Sequence, residues 1–320
     1  MFAVRREEPL RGEKLIKTPM VFIIGAGASV GYGFPLGEKL VKQIAFHTRA
    51  AETAFSRAMV ASGVDSADVL RFHGNLRGAD PSSIDTFLEN NREEFVRVGK
   101  AAIALVILLA EAECANQGNL VENPPKDNWL KYIWNVARAG CSAETLLHNR
   151  VSFVTLNYDR VLETYLSGVI RSAFNLNPDE ATALRVKVFP VVHLHGQVSG
   201  VEFGADPAMF LNERLDEIAA GIRVVHDAVP VGDSVFEEAQ GMISRADLIC
   251  CLGFGYHPTN INRLRLRDTK RASARLLGST FGMGHAEVLQ AQAALGLDLT
   301  HVPNSGLECE AFLRENVALL

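Results

Sequence analysis

Pro19-Met20-Val21-Phe22-Ile23-Ile24-Gly25-Ala26-Gly27-Ala28-Ser29-Val30-Gly31-Tyr32-Gly33-Phe34-Pro35 runs from an apolar segment straight into a glycine-rich one. The apolar part is too short for a free-standing helix, and the glycines after it are a turn signal. A helix from Gly37 to about Ala45 should follow, so the predicted order is strand, glycine loop, helix. Similar short runs recur at residues 151–155, 186–194, 248–252, 274–277 and 297–302, with helical patterns at 160–170, 234–245 and 285–294. That alternation predicts an α/β fold, a largely parallel, doubly wound, Rossmann-like sheet of about six strands covered on both faces.

More than a hundred residues without a strand-like run separate the first two strands. They predict a large, mostly helical insertion over 37–149, so that 1–36 and 150–320 together make the sheet domain. Within the insertion, residues 46–60 precede a polar stretch through Gly74, Gly78 and Pro81. A long helical pattern then runs from Ser83 to about Gln117, and a further helix spans 127–139. Ser82-Ser83-Ile84-Asp85-Thr86 supplies a cap side chain and an early acid for the long pattern. Asn123-Pro124-Pro125 reads as a turn.

The 320 residues, 48% hydrophobic and 22% charged, exclude collagen-like, disordered and disulfide-scaffold classes. A formal charge of -5 gives no support to a polyanion-binding surface, and direct nucleic-acid binding is not predicted. Five scattered cysteines (Cys114, Cys141, Cys250, Cys251, Cys309) without a CxxC pair argue against a zinc ribbon and fit a reducing compartment. The charged start, Met1-Phe2-Ala3-Val4-Arg5-Arg6-Glu7-Glu8, lacks a following apolar region, so a cytoplasmic location is expected. The longest apolar run, 101–110, is about half the ~20 residues a membrane span needs and reads as a buried helix.

Three constellations could carry chemistry. Gly25-Ala26-Gly27-Ala28-Ser29 lets backbone N–H groups approach a pyrophosphate, although such loops also serve as plain tight turns. It departs from the dehydrogenase fingerprint: Val30 occupies the sixth position, and His47-Thr48-Arg49 offers no acid about 20 residues on. No P-loop occurs either. Thr155-Leu156-Asn157-Tyr158-Asp159 ends the second strand, where open sheets bind ligands. Asn157 and Asp159 share a side if the strand persists, and Asp159 can equally cap the next helix. His193-Leu194-His195-Gly196 ends the third strand with two histidines on one face and a glycine that permits close ligand approach. No third metal ligand is evident. Arg263, Arg265 and Arg267, spaced by leucines, could approach a phosphate but read as a solvated face.

In order, Gly25-Ala26-Gly27-Ala28-Ser29 with Gly33-Phe34-Pro35, Thr155-Leu156-Asn157-Tyr158-Asp159, His195-Gly196 and Gly253-Phe254-Gly255 resemble the sirtuin superfamily over most of the chain. The likeness is nearest to the bacterial sirtuin-like branch associated with anti-phage defence. There a segment like Ser83-Ile84-Asp85-Thr86-Phe87-Leu88 opens a helix of the insertion, and Leu277-Gly278-Ser279-Thr280 lies near the adenosine end.

The resemblance implies NAD as substrate, with Asn157 and His195 as the catalytic pair. It places Gly25, Ala26, Gly27, Ala28, Ser29, Gly33 and Pro35 at the pyrophosphate and nearby ribose, and Asp159 beside the catalytic pair. Gly253 and Gly255 fall at ribose and phosphate, and Gly278, Ser279 and Thr280 at the adenosine. The four zinc-binding cysteines of deacetylase members are missing after His195, so no zinc is expected and water becomes the expected acceptor. The expected activity is a regulated NAD glycohydrolase releasing nicotinamide and ADP-ribose. A catalytically silent NAD or ADP-ribose sensor, an ADP-ribosyltransferase and a deacylase stay open as alternatives, as does the choice between NAD and NADP. The family's habits further imply a homo-oligomer and a defence partner, an ATPase or a nucleic-acid-guided subunit.

Overall fold

The computed structural model describes residues 15–209, 214–224, 233–296 and 306–319. Five strands form one sheet: β1 (Met20–Ile24), β2 (Val151–Thr155), β3 (Val191–His193), β4 (Leu248–Leu252) and β5 (Arg275–Gly278). All pairings are parallel and the order is β3-β2-β1-β4-β5. The first strand therefore lies in the middle, and the chain builds outward on one side of it before crossing to the other. This is the strand order of a Rossmann-type doubly wound sheet, which opens a crevice beyond the carboxyl ends where the order reverses. Ile24 is level with Thr155 on one side and with Leu252 on the other, and Thr155 with His193, so four strands end at one edge.

Both faces of the sheet are buried. Met20, Phe22 and Ile24 join one core with Leu105, Ile133 and Leu166, while Val21 and Ile23 join the other with Phe236, Ile243 and Ile261. This period-2 split explains why β1 and β4 are apolar at every position instead of alternating. On the first face Phe22 and Phe153 stack with centroids 5.5 Å apart.

Between β1 and β2 the described residues are helical: Gly37–Thr48, Ala54–Ala61, Ser66–Ala79, Ile84–Asn90, Arg92–Asn116 and Trp129–Ala137. Among them no helix is long and apolar enough to cross a membrane. The stretch through Gly74 and Gly78, expected as polar connection, belongs to the Ser66–Ala79 helix. Asp65 caps it, and Val69, Phe72 and Leu76 form a buried stripe that outweighs two glycines on its open side. The single long pattern expected from Ser83 breaks at Asn91, whose side-chain amide donates to the carbonyl of Phe87.

The other differences lie at element ends. Residues 186–188, expected in the third strand, finish a Pro178–Val188 helix started by the Asn177–Glu180 capping box. Pro190 then leaves only three residues for β3. The glycine loop feeds a 3-10 helix, Ala26–Tyr32, before the α-helix at Gly37 begins. The segment 297–302, expected as a sixth strand, lies outside the described residues.

Candidate functional site

A cavity of about 470 Å³ opens at the carboxyl ends of β1, β2 and β4. The sheet contributes Gly25, Ala26, Ser29, Leu156, Asn157, Tyr158, Asp159, His195, Phe254 and Gly255. The helical segment closes the opposite side with Ser82, Ser83, Asp85, Thr86 and Ile107. The volume lies in the range of about 300–1,000 Å³ usual for small-molecule sites.

Asn157 sits where β2 has ended, not within a continuing strand. Thr155 Oγ1 accepts from the Asn157 N–H at 3.1 Å and turns the chain. The Asn157 side chain, 6% exposed, donates through Nδ2 to the Gly25 carbonyl at 3.2 Å and to Ser29 Oγ at 3.0 Å. Its Oδ1 is buried without a hydrogen-bond partner. The two donated bonds orient the amide.

Asp159 also lines the cavity, and its Oδ1 accepts from the Val161 N–H at 3.2 Å, so it starts the Val161–Phe174 helix as well. Burial pushes its carboxyl from 3.8 up to about 6, against the pull of the Ser29 hydroxyl and the Val161 N–H. Immediately beyond, Arg160 reaches across to Glu111 of the Arg92–Asn116 helix, donating from Nε at 3.1 Å and from its backbone N–H at 3.1 Å. That pairing fastens the loop to the helical segment.

The two histidines part company. β3 ends at His193, and a turn closed by the Gly196 N–H on the His193 carbonyl swings His195 to the cavity wall. His193 instead faces Glu163 and the Asn157 carbonyl. Gly196, at φ 64°, has its open side filled by the backbone of Gly221, not by ligand space. The His195 ring lies 6.1 Å from that of Tyr158, whose hydroxyl donates to Asp85 Oδ1 at 3.1 Å.

Of the residues the sequence nominates, Gly25, Ala26, Ser29, Pro35, Asn157, Asp159, His195 and Gly255 line the cavity. Gly27, Ala28, Gly33, Gly253, Gly278, Ser279 and Thr280 are not among its lining residues. Gly27 donates to the Gly253 carbonyl at 3.0 Å, and a Cβ on Gly253 would lie 2.0 Å from the Ala28 nitrogen. These glycines thus let the β1 and β4 loops touch backbone to backbone. The Ala28 carbonyl accepts from Trp129 Nε1 at 2.9 Å, and Gly33, at φ 100°, ends the 3-10 helix. Ser279 Oγ accepts from the Gly253 N–H at 3.0 Å, Gly278 makes room for the Tyr256 hydroxyl, and Thr280 is buried. Arg263, Arg265 and Arg267 are absent from the lining.

Asp85, Tyr158, His257 and Asn260 also line the cavity and were not singled out as ligand contacts by the sequence. Asp85 read as a helix-start acid, and nothing local ties it to Tyr158, 73 positions away. Asn260 leaves a second buried Oδ1 without a partner. The described lining holds two carboxyls, Asp85 and Asp159, and no Lys or Arg. Those carboxyls suit a positive group placed beside them. Among the described residues no group of three or more His, Cys, Asp or Glu is placed to hold a metal ion.

The chain matches no protein-family model and no curated protein.

Proposed function

We propose that the chain hydrolyses the nicotinamide N-glycosidic bond of NAD, releasing nicotinamide and ADP-ribose. One observation carries the reading: the Asn157 amide, its Oδ1 buried without a partner, is fixed through Nδ2 to the Gly25 carbonyl and Ser29 Oγ at the wall of the cavity that His195 also lines. An amide so fixed is preorganised to position a hydroxyl or a water at the cavity wall. The sirtuin-like order of the motifs adds the substrate class.

Water attacks C1′ of the nicotinamide ribose as the C–N bond breaks. The bonding pair goes to the pyridinium nitrogen, which leaves as a neutral base and needs no strong general acid. His195 takes the proton that the water loses, a role worth about 10²- to 10⁴-fold. The transition state carries positive charge on the ribose, and the Asp85 and Asp159 carboxyls on the cavity wall suit that charge. Gly25, Ala26 and Ser29 hold the cofactor end of the substrate and turn binding into orientation of C1′. Control of such an activity falls to the helical segment, which supplies one wall of the cavity. A place in anti-phage defence, with a partner protein and self-association, belongs to the same reading.

Fluorogenic NAD cleavage by the wild type, Asn157→Ala and His195→Ala tests it, with products identified by mass spectrometry. Turnover should fall by at least about 10² in each variant. Equal turnover in all three removes both residues from these roles. Calorimetric binding of NAD with no nicotinamide released assigns the cavity to a sensor instead.

A further inference from the structure

We propose that His193 is a positioning residue for Asn157: an imidazole, largely out of solvent, clamped between the Asn157 carbonyl and the Glu163 carboxyl, that holds the loop presenting the Asn157 amide to the cavity. The role of Asn157 itself rests on the proposed function above.

The proton positions follow from the partners. His193 Nδ1 lies 3.1 Å from the Asn157 carbonyl oxygen, which can only accept, so Nδ1 carries a hydrogen. Nε2 faces Glu163 Oε1. Either the ring is doubly protonated against a carboxylate, or a neutral ring accepts from a carboxylic acid. The surrounding charges select the first. Burial alone would drive His193 down, but the Glu163 charge and hydrogen bond, the Asn157 carbonyl and Asp159 outweigh it, and the balance is upward from 6.5. Burial alone would drive Glu163 up, but His193 outweighs it with help from Arg185 of the Pro178–Val188 helix, and the balance is downward from 4.5.

Both side chains are largely out of solvent, with side-chain exposures of 10% and 16%. The pair lies outside the cavity lining, so it acts through Asn157 and not on substrate. It links three elements at one point: β3, the loop after β2, and the Val161–Phe174 helix that carries Glu163. A buried ion pair contributes little net stability, and fixing one geometry is its best-attested use. Here the geometry fixed is that of the residue whose amide reaches Gly25 and Ser29 at the cavity wall.

Asparagine and glutamine divide the imidazole into its two halves. His193→Asn keeps a donor near the Nδ1 position for the Asn157 carbonyl and gives up Glu163. His193→Gln reaches Glu163 and gives up the carbonyl. In a Glu163→Gln background, where no buried carboxylate is stranded, His193→Asn should keep kcat within about threefold of that background. His193→Gln should lose about 10²-fold in kcat with KM changed by less than about threefold. Equal losses in the two overturn the positioning role.

Nitrogen-15 NMR of the full chain gives a readout that does not depend on turnover. In the wild type Nδ1 of His193 should be protonated, as its contact with the Asn157 carbonyl requires, and an unprotonated Nδ1 overturns the proposal. The Asn157 side-chain amide resonances should move in His193→Gln and hold in His193→Asn, and the reverse also overturns it. A wild type that releases no nicotinamide sinks the glycohydrolase reading, while the NMR arm still judges the clamp.

Discussion

Replacing Asp159 by Asn should stabilise the fold at neutral pH and lose that advantage in acid. Burial holds the Asp159 carboxyl at about 6 in the folded chain against 3.8 as its ordinary value. A folded-state pKa above the unfolded one means that the folded chain binds the proton more tightly. Its contribution is therefore favourable below 3.8, falls as pH rises through the window up to about 6, and is flat above. A gap of about two pKa units corresponds to roughly 3 kcal/mol. Asparagine has the same shape, still accepts from the Val161 N–H, and carries no charge to bury. Its new amide hydrogens cost about 1 kcal/mol if one of them finds no partner.

The wild type and Asp159→Asn should thus differ by an amount that grows by roughly 3 kcal/mol between pH 2 and pH 7, leaving the variant about 2 kcal/mol ahead at neutral pH. Urea unfolding followed by circular dichroism at unit pH steps measures this, because other titrating groups largely cancel in the difference. A difference that stays constant with pH, or one that grows in favour of the wild type, refutes the idea that Asp159 is held against its preference. The same variant removes a negative charge from the cavity wall, so a gain in stability should come with a loss of turnover.

Gly253→Ala puts a Cβ 2.0 Å from the Ala28 nitrogen at a φ of 56°. It should cost about 2–5 kcal/mol in thermal or denaturant unfolding. Gly255→Ala, with open space at its Cβ, should stay within about 0.5 kcal/mol, and matching losses in the two would show that the β1–β4 loop contact is unimportant. Arg160→Met strands Glu111, whose side chain is 1% exposed, and should cost about 3–5 kcal/mol. Adding Glu111→Leu should recover most of that, and a single variant as mild as a surface ion-pair deletion would contradict the arrangement.

Much of this architecture is local information. The runs at 20–24 and 248–252 are apolar at every position, as a strand buried on both faces requires, and the described sheet is parallel and covered on both sides. Ser83 is a cap in the sequence and in the structure, where its Oγ accepts from the Thr86 N–H at 3.2 Å. Asn157, Asp159 and His195 could be nominated because each follows directly on a strand, and strand ends at one edge of a parallel sheet are necessarily neighbours.

Contacts between distant segments depend instead on which strand lies beside which. Asn157 and Gly25 are 132 positions apart, and their hydrogen bond exists because β1 and β2 are adjacent. Whether a glycine faces open space or another backbone is settled the same way: with β4 on the other side of β1, Gly25 and Gly27 both face the backbone of the β4 loop, while Gly255 is open and lines the cavity. His193 and His195 are equivalent in pattern, and the turn at Gly196 sends one to Glu163 and the other to the wall. A sequence records backbone preference and polarity over about ten residues. The direction in which a polar side chain finds its partner is decided only when the strands have paired and buried groups must be satisfied.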